Sequence, residues 1–398
     1  MKPKKSGCLR FTLWGLLALM VLCLSTAGGL AWDNSRLAEH SEMIDRLSPR
    51  EKGRLIEAQH LRHSVGDEVL PGWGQAEIPL ILYNEEYAFL SSVGNPPPDG
   101  WATVPRGEQR GAAWEVTPGD DLQGQPYYRQ KLAAGVTPQA FTVQVGDDYA
   151  ASITTLEYFR ISMHEQLRGE LPGVLQPFFP YRFFIGQLLD SSDQYITLIL
   201  HEAAHAYQGL VAPERLAAGE QANHDTADQY PWDDKRLRQN WQSELDVLAR
   251  ALRAKTEQET RALAGEFLQI RQSRRQSARL SAEAVEFERS REWVEGIGRY
   301  AELSVYRLPR ERTGYISVGE IFDDPEFHHY ERYDQRWSRE LDQMRRMAND
   351  EGDGRFYYSG MAQAVLLDRL GLDWKSRLFE PGVWLEDLLA EALRSPGS

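Results

Sequence analysis

Two histidines four residues apart, His201 and His205, with Glu202 directly after the first, have types and spacing that can do chemistry. They stand in Leu198-Ile199-Leu200-His201-Glu202-Ala203-Ala204-His205-Ala206-Tyr207-Gln208, which contains the pattern HExxH. Residues four apart share one helix face, so both imidazoles can reach a single metal ion, and Glu202 falls beside a metal-bound water. Two His ligands and a carboxylate base are the donor set of a zinc hydrolase. The bland alternative is two histidines on a helix with a solvated Glu between them. The flanks suit a buried helix. Tyr195-Ile196-Thr197-Leu198-Ile199-Leu200 is apolar, Ser192 or Asp193 is expected to cap the start, and Gly209 and Pro213 supply stop signals.

Two ligands leave the site incomplete. A second stretch, Arg291-Glu292-Trp293-Val294-Glu295-Gly296-Ile297-Gly298-Arg299-Tyr300-Ala301-Glu302, lies in a proline-free helical run between Ser277 and Tyr306. Glu295 on a helix packed against the first is the expected third ligand. Glu302, two turns further along the same face, is expected to hydrogen-bond a ligand imidazole and hold its orientation. Gly296 and Gly298 are unfavourable in a helix unless a close approach requires them. The plain alternative is an amphipathic helix with exposed glutamates.

The elements that must position these residues follow from the rest of the chain. With 398 residues, 42% of them hydrophobic, it can bury a large core. A net charge of −14 argues against nucleic acid as a partner. Lys2, Lys4, Lys5 and Arg10 precede an uncharged run from Phe11 to Trp32, so residues 1–32 read as a signal peptide or a membrane anchor. Either version puts the bulk of the chain outside the cytoplasm, periplasmic or extracellular. Cys8 and Cys23, the only cysteines, sit in that segment, which leaves the exported part without disulfides or Cys ligands.

Residues 33–65 read as a polar helical stalk or an outer packing helix. Residues 66–146 read as a strand-rich block whose edge could bind an extended peptide. Helix is expected from Asp147 to Arg168; it contains His164-Glu165-Gln166-Leu167-Arg168, a near copy of the motif in which Arg168 cannot ligate zinc. Glu220 to Asp234 reads as an acidic surface loop and a candidate lid. Residues 235–277 read as a helical insertion with one apolar stripe, Leu237, Trp241, Leu245, Leu248 and Leu252. Arg271, Arg274 and Arg275 are expected on a solvated helix face, and His328-His329 in a surface loop.

HExxH followed by a helix reading Glu-Gly-x-x-x-Tyr-x-Glu resembles the gluzincin metallopeptidases, especially the aminopeptidase branch with its Trp-Leu-Asn-Glu-Gly segment. The resemblance implies that Glu295 is the third zinc ligand, and it carries the family's later Tyr and Glu onto Tyr300 and Glu302. The family's Tyr-x-x-Gly falls on Tyr357-Tyr358-Ser359-Gly360, which implies that Tyr357, with Tyr358 as the alternate, hydrogen-bonds the tetrahedral intermediate. The resemblance covers about residues 190–375 and rests on three short motifs. Residues 206–294 form a longer interval than the aminopeptidases have, and their Gly-Ala-Met-Glu-Asn segment is absent. The implied fold is α+β, a small strand-rich block followed by a mainly helical zincin-like catalytic domain (147–398) with a helical insertion. The implied activity is zinc-dependent hydrolysis of a peptide or protein substrate. The alternative is a membrane-tethered binding or scaffolding protein on a peptidase-like fold.

Overall fold

A computed structural model describes residues 6–93, 96–105, 107–133, 135–136, 138, 141–350 and 352–395. Lys2, Lys4 and Lys5 of the N-terminal basic run lie outside them. The uncharged run lies in helix α1 (Ser6–Asn34). Among the described residues no helix is long and apolar enough to cross a membrane. Helix α2 (Pro49–Val69) starts where its sequence allows, with Ser48 accepting from the Glu51 N–H and Pro49 in the first turn, where no amide donor is needed.

Eight strands follow: β1 (Leu80–Tyr83), β2 (Tyr87–Ser91), β3 (Trp101–Thr103), β4 (Gln109–Arg110), β5 (Glu115–Val116), β6 (Tyr128–Lys131), β7 (Phe141–Val145) and β8 (Asp148–Thr154). They form one sheet in the order β4-β3-β7-β8-β1-β2-β6-β5. Among the described residues only the β1–β8 pair is parallel, with Ile81 opposite Ser152. Alternate residues face two cores. Leu80, Leu82, Phe89, Ala151 and Ile153 join the large helical core, while Ile81, Leu90, Trp101, Val143 and Ala150 form a smaller one on the opposite face.

The segment expected as one helix from Asp147 to Arg168 divides at Thr155. Its first part is β8, and the helix α3 runs only over Leu156–Glu170, capped by Thr155. As a central strand buried on both faces, β8 lacks the polar alternation that marks a half-exposed strand. The chain then turns through α4 (Tyr181–Leu188), α5 (Ser192–Val211) and α6 (Pro213–Thr226). Most of the expected acidic loop is therefore helix or a short 3-10 turn, and Glu220 is buried. The expected insertion is a hairpin of α7 (Lys235–Arg253) and α8 (Glu257–Ser277), with the α7 stripe wholly buried. After it come α9 (Ala282–Arg291), a π-helical turn (Glu292–Gly296), α10 (Ile297–Glu311), α11 (Tyr333–Met344), α12 (Gly354–Arg369) and α13 (Leu385–Arg394).

Packing decides between the two readings of residues 33–65 and corrects one further expectation. Helix α2 is a packing helix and not a free stalk; Leu55, Ala58, Leu61 and Val65 are buried, and it lies against α5 and α10. Arg271 and Arg274 are not solvated but 2% and 1% exposed. Arg271 donates to Glu244, Glu292 and Glu386, and Arg274 to Glu244 and Glu288, so that α8 is tied to α7, α9, the π-helical turn and α13. Each guanidinium is paired with two or more buried carboxylates, which is the condition under which arginine enters a core.

Candidate metal centre

Helix α5 is the spine of the site. Its cap is Ser191, whose hydroxyl accepts from the Gln194 N–H at 3.3 Å. The two residues expected in that role are used elsewhere. Ser192 Oγ donates to Asp324 at 2.7 Å, and the Asp193 carboxylate accepts from the His328 and Tyr330 amides at 2.7 and 2.6 Å. These bonds anchor the start of α5 to the turn before α11. Further along, α5 packs on β8 and α10, so His201 and His205 stand on a helix held from both sides.

His201 Nε2 and His205 Nε2 lie 3.0 Å apart, and Glu295 Oε2 lies 3.7 and 3.5 Å from them. Ligand atoms about 2.0–2.1 Å from a tetrahedral zinc sit roughly 3.3 Å from each other, so these three atoms nearly describe one face of that tetrahedron. The group is buried and able to hold a metal ion. Glu295 Oε1 accepts from Arg291 Nη2 at 2.5 Å, whereas Oε2 is buried without a hydrogen-bond donor. A carboxylate oxygen left unpaired between two imidazole nitrogens fits a cation at their centre.

Glu295 reaches this point from the π-helical turn, a geometry that recurs at functional sites. Both glycines that looked anomalous in the sequence have close neighbours. A Cβ on Gly296 would lie 2.4 Å from the Gly360 Cα of α12. A Cβ on Gly298 would lie 2.8 Å from His205 Cε1 and 2.9 Å from His201 Cε1, so α10 presses its bare backbone against both imidazoles.

The outer nitrogens are also met. Glu302 Oε2 lies 3.4 Å from His201 Nδ1, and Arg299 and Arg336 each donate to Glu302 at 2.6 Å. His205 Nδ1 faces Gln208 Oε1 at 2.8 Å, while the amide of Gln208 donates to the Trp293 carbonyl at 2.6 Å. The His205 Nδ1 bond to Gln208 favours the tautomer whose Nε2 lone pair is directed at the shared centre, and Glu302 places a carboxylate near His201 Nδ1 without a formed hydrogen bond.

Charge in the site follows from burial and neighbours. Burial alone would lower the His201 pKa, but Glu295 and Glu302 overcome it and, with no metal present, raise it to about 10. His205 is also raised, because the charge of Glu295 outweighs its burial. Glu295 falls well below the usual carboxylate range; Arg291 and the imidazoles outweigh its desolvation. Burial pushes Glu202 up, opposed by the two imidazoles. Tyr357 stacks on His201, with ring centroids 5.6 Å apart and planes 8° from parallel. Its hydroxyl is raised well above 10, first by burial and then by Glu295, so it stays protonated. Tyr358 points away, donating to Glu340 at 2.9 Å.

The structure thus gathers His201, Glu202, His205, Glu295, Glu302 and Tyr357. Tyr300 is directed elsewhere, donating to Asp368 at 2.6 Å. It leaves His164 apart, edge-on to Tyr181 and lining a separate cavity of about 470 Å³. Sequence reasoning missed Gln208 and Arg291. Each had a signal, since Gln208 lies three residues after His205 and Arg291 four before Glu295, both on the ligand's own helix face. A scan against models of protein families, a search of curated proteins and a search of solved structures each find no match to this chain.

Proposed function

We propose that this chain is an extracytoplasmic zinc-dependent hydrolase, a gluzincin-like metallopeptidase acting on a peptide or protein substrate. The observation that carries the reading is the three-atom face of His201 Nε2, His205 Nε2 and Glu295 Oε2, with Glu202 beside it and Glu295 Oε2 otherwise unpaired. Zinc would be held by these three residues, and when bound it supplies Lewis acidity toward a water and a substrate carbonyl.

The chain's own residues then have distinct tasks. Glu202, in a buried site that raises its proton affinity, takes a proton from the attacking water and returns it to the leaving amine. Tyr357 keeps its hydroxyl proton and donates it as a hydrogen bond to the developing oxyanion. Glu302 and Gln208 hold the two imidazoles in the tautomers that ligate.

A second reading, a metal-stabilised binding protein on the same fold, is favoured by one observation: His201, Glu202, His205 and Glu295 are only 3–9% exposed. Zinc analysis and a peptide-library digest of wild type and Glu202→Gln separate the two. The enzyme reading expects zinc in both proteins and cleavage by wild type alone. Zinc in both with no cleavage by either supports the binding protein, and cleavage by Glu202→Gln removes Glu202 from the mechanism.

A further inference from the structure

Beyond the candidate metal site, the described residues leave an apolar region exposed. Around α4, Val174, Leu175, Phe178, Phe183, Phe184 and Leu188 are all exposed, Val174 at 78% and Phe183 at 62%. The end of α1 is fastened to the same place. Asn34 Nδ2 donates to the carbonyls of Pro177 and Phe179 at 2.9 and 2.8 Å, and Arg182 pairs with Asp33 at 3.0 Å. Trp32, with Arg36 stacked over its ring at 3.6 Å, stands at that junction and is itself exposed.

The exposure pattern along α1 identifies the occupant. Leu19, Met20, Val21 and Leu22 are consecutive and each more than half exposed. Four consecutive helical residues point in every direction around the axis, so this turn of the helix is apolar on all sides. A single protein groove covers one side of a helix, whereas acyl chains surround it. We infer that α1 enters a lipid bilayer and that the 174–188 surface is a second membrane contact, seated in the interface of that same bilayer. The body then rests on the lipid by its α4 face instead of hanging from a free tether. Trp and Arg at the junction are suited to the headgroup level. The chain's net charge of −14 means that attachment is apolar: neutral lipid suffices, and salt leaves it unchanged. This holds whether or not the metal site is catalytic.

The test uses the full chain with Cys8→Ser and Cys23→Ser, and a single cysteine introduced as Val174→Cys, Phe183→Cys or Ile316→Cys. Each carries an environment-sensitive fluorophore and is reconstituted in phosphatidylcholine vesicles containing a doxyl-labelled lipid. All three positions are 62–78% exposed, so the labels do not disturb packing. The expected result is blue-shifted emission at 174 and 183, quenched by the lipid several times more strongly than at 316 and shielded from iodide. Equal iodide quenching at all three positions overturns the inference. Shielding at 174 and 183 that grows with protein concentration, without quenching by lipid, overturns it in favour of a second copy of the chain.

Discussion

A single methyl group at Gly298 tests whether the bare backbone of α10 is required by the metal site. In Gly298→Ala the new carbon would stand 2.8 Å from His205 Cε1, 2.9 Å from His201 Cε1 and 3.0 Å from His201 Nε2. Non-bonded carbons settle at about 3.5–4.0 Å, so the two ring carbons are each too close by roughly 0.6–1.2 Å. Neither ring is free to yield. His201 lies between Glu302 and the face of Tyr357, and His205 is held by Gln208. Metal–ligand distances tolerate about 0.2 Å, so the displacement exceeds what coordination can absorb. Alanine gains about 0.8–1 kcal/mol over glycine in a helix, and overpacking costs about 1–3 kcal/mol. The metal-free variant should therefore be unchanged or less stable by up to about 2 kcal/mol, while zinc affinity falls at least as far as on losing an outer partner, about 10–100-fold. Competition with a chromophoric chelator measures the affinity, and thermal unfolding in excess chelator measures the stability. Gly265→Ala, whose Cβ meets nothing within 4 Å, is the control and should gain up to about 1 kcal/mol. Wild-type zinc affinity in Gly298→Ala, with a gain in stability like the control's, would refute the reasoning.

Gln208→Leu should lower zinc affinity about 10–100-fold without unfolding the chain, because His205 Nδ1 loses its acceptor; chelator competition measures it. The metal-free protein should lose stability as pH rises. The folded pKa of His201 is raised from 6.5 to about 10, so its contribution is full below pH 6.5 and is lost through about pH 10; denaturant titrations across that window follow it. Over the same range apparent zinc affinity should rise about tenfold per pH unit for each proton displaced, visible in the same chelator assay. Glu288→Ala should destabilise by about 3–5 kcal/mol, since Arg274 keeps its buried charge and loses one of its two carboxylate partners. In the wild type the folded pKa of Glu288 is held near 2, so its contribution is present above pH 4.5 and lost as pH falls toward 2.

The grouping of the candidate site residues is legible in the sequence where spacing on one helix carries it. His201 and His205 follow from the four-residue repeat, and the α7 stripe from the same periodicity. Glu295 was legible because Glu-Gly stood in a run that otherwise favours helix. Where tertiary partners decide, residue type misled. Arg271 and Arg274 read as surface cations because the sequence does not display the distant Glu244, Glu288 and Glu386 that neutralise them. Strand β8 read as helix because burial on both faces erased its alternation. The sequence does not single out Ser191 as the cap, because Ser192 and Asp193 are equally good candidates until their partners Asp324, His328 and Tyr330 are in place. Tyr357 and Tyr358 are adjacent and chemically identical. Only the pairing of Tyr358 with Glu340 turns one away and leaves the other against His201.

The central claim is that three side chains on two helices hold one zinc ion. Metal analysis of the purified chain after zinc loading, wild type beside Glu295→Ala and Glu302→Ala, tests it most directly. The account predicts about one zinc per chain in wild type, loss in Glu295→Ala, and weaker but detectable binding in Glu302→Ala. No zinc in the folded wild type would contradict it outright. Zinc lost with Glu302→Ala and kept with Glu295→Ala would mean that the third ligand lies two turns further along α10.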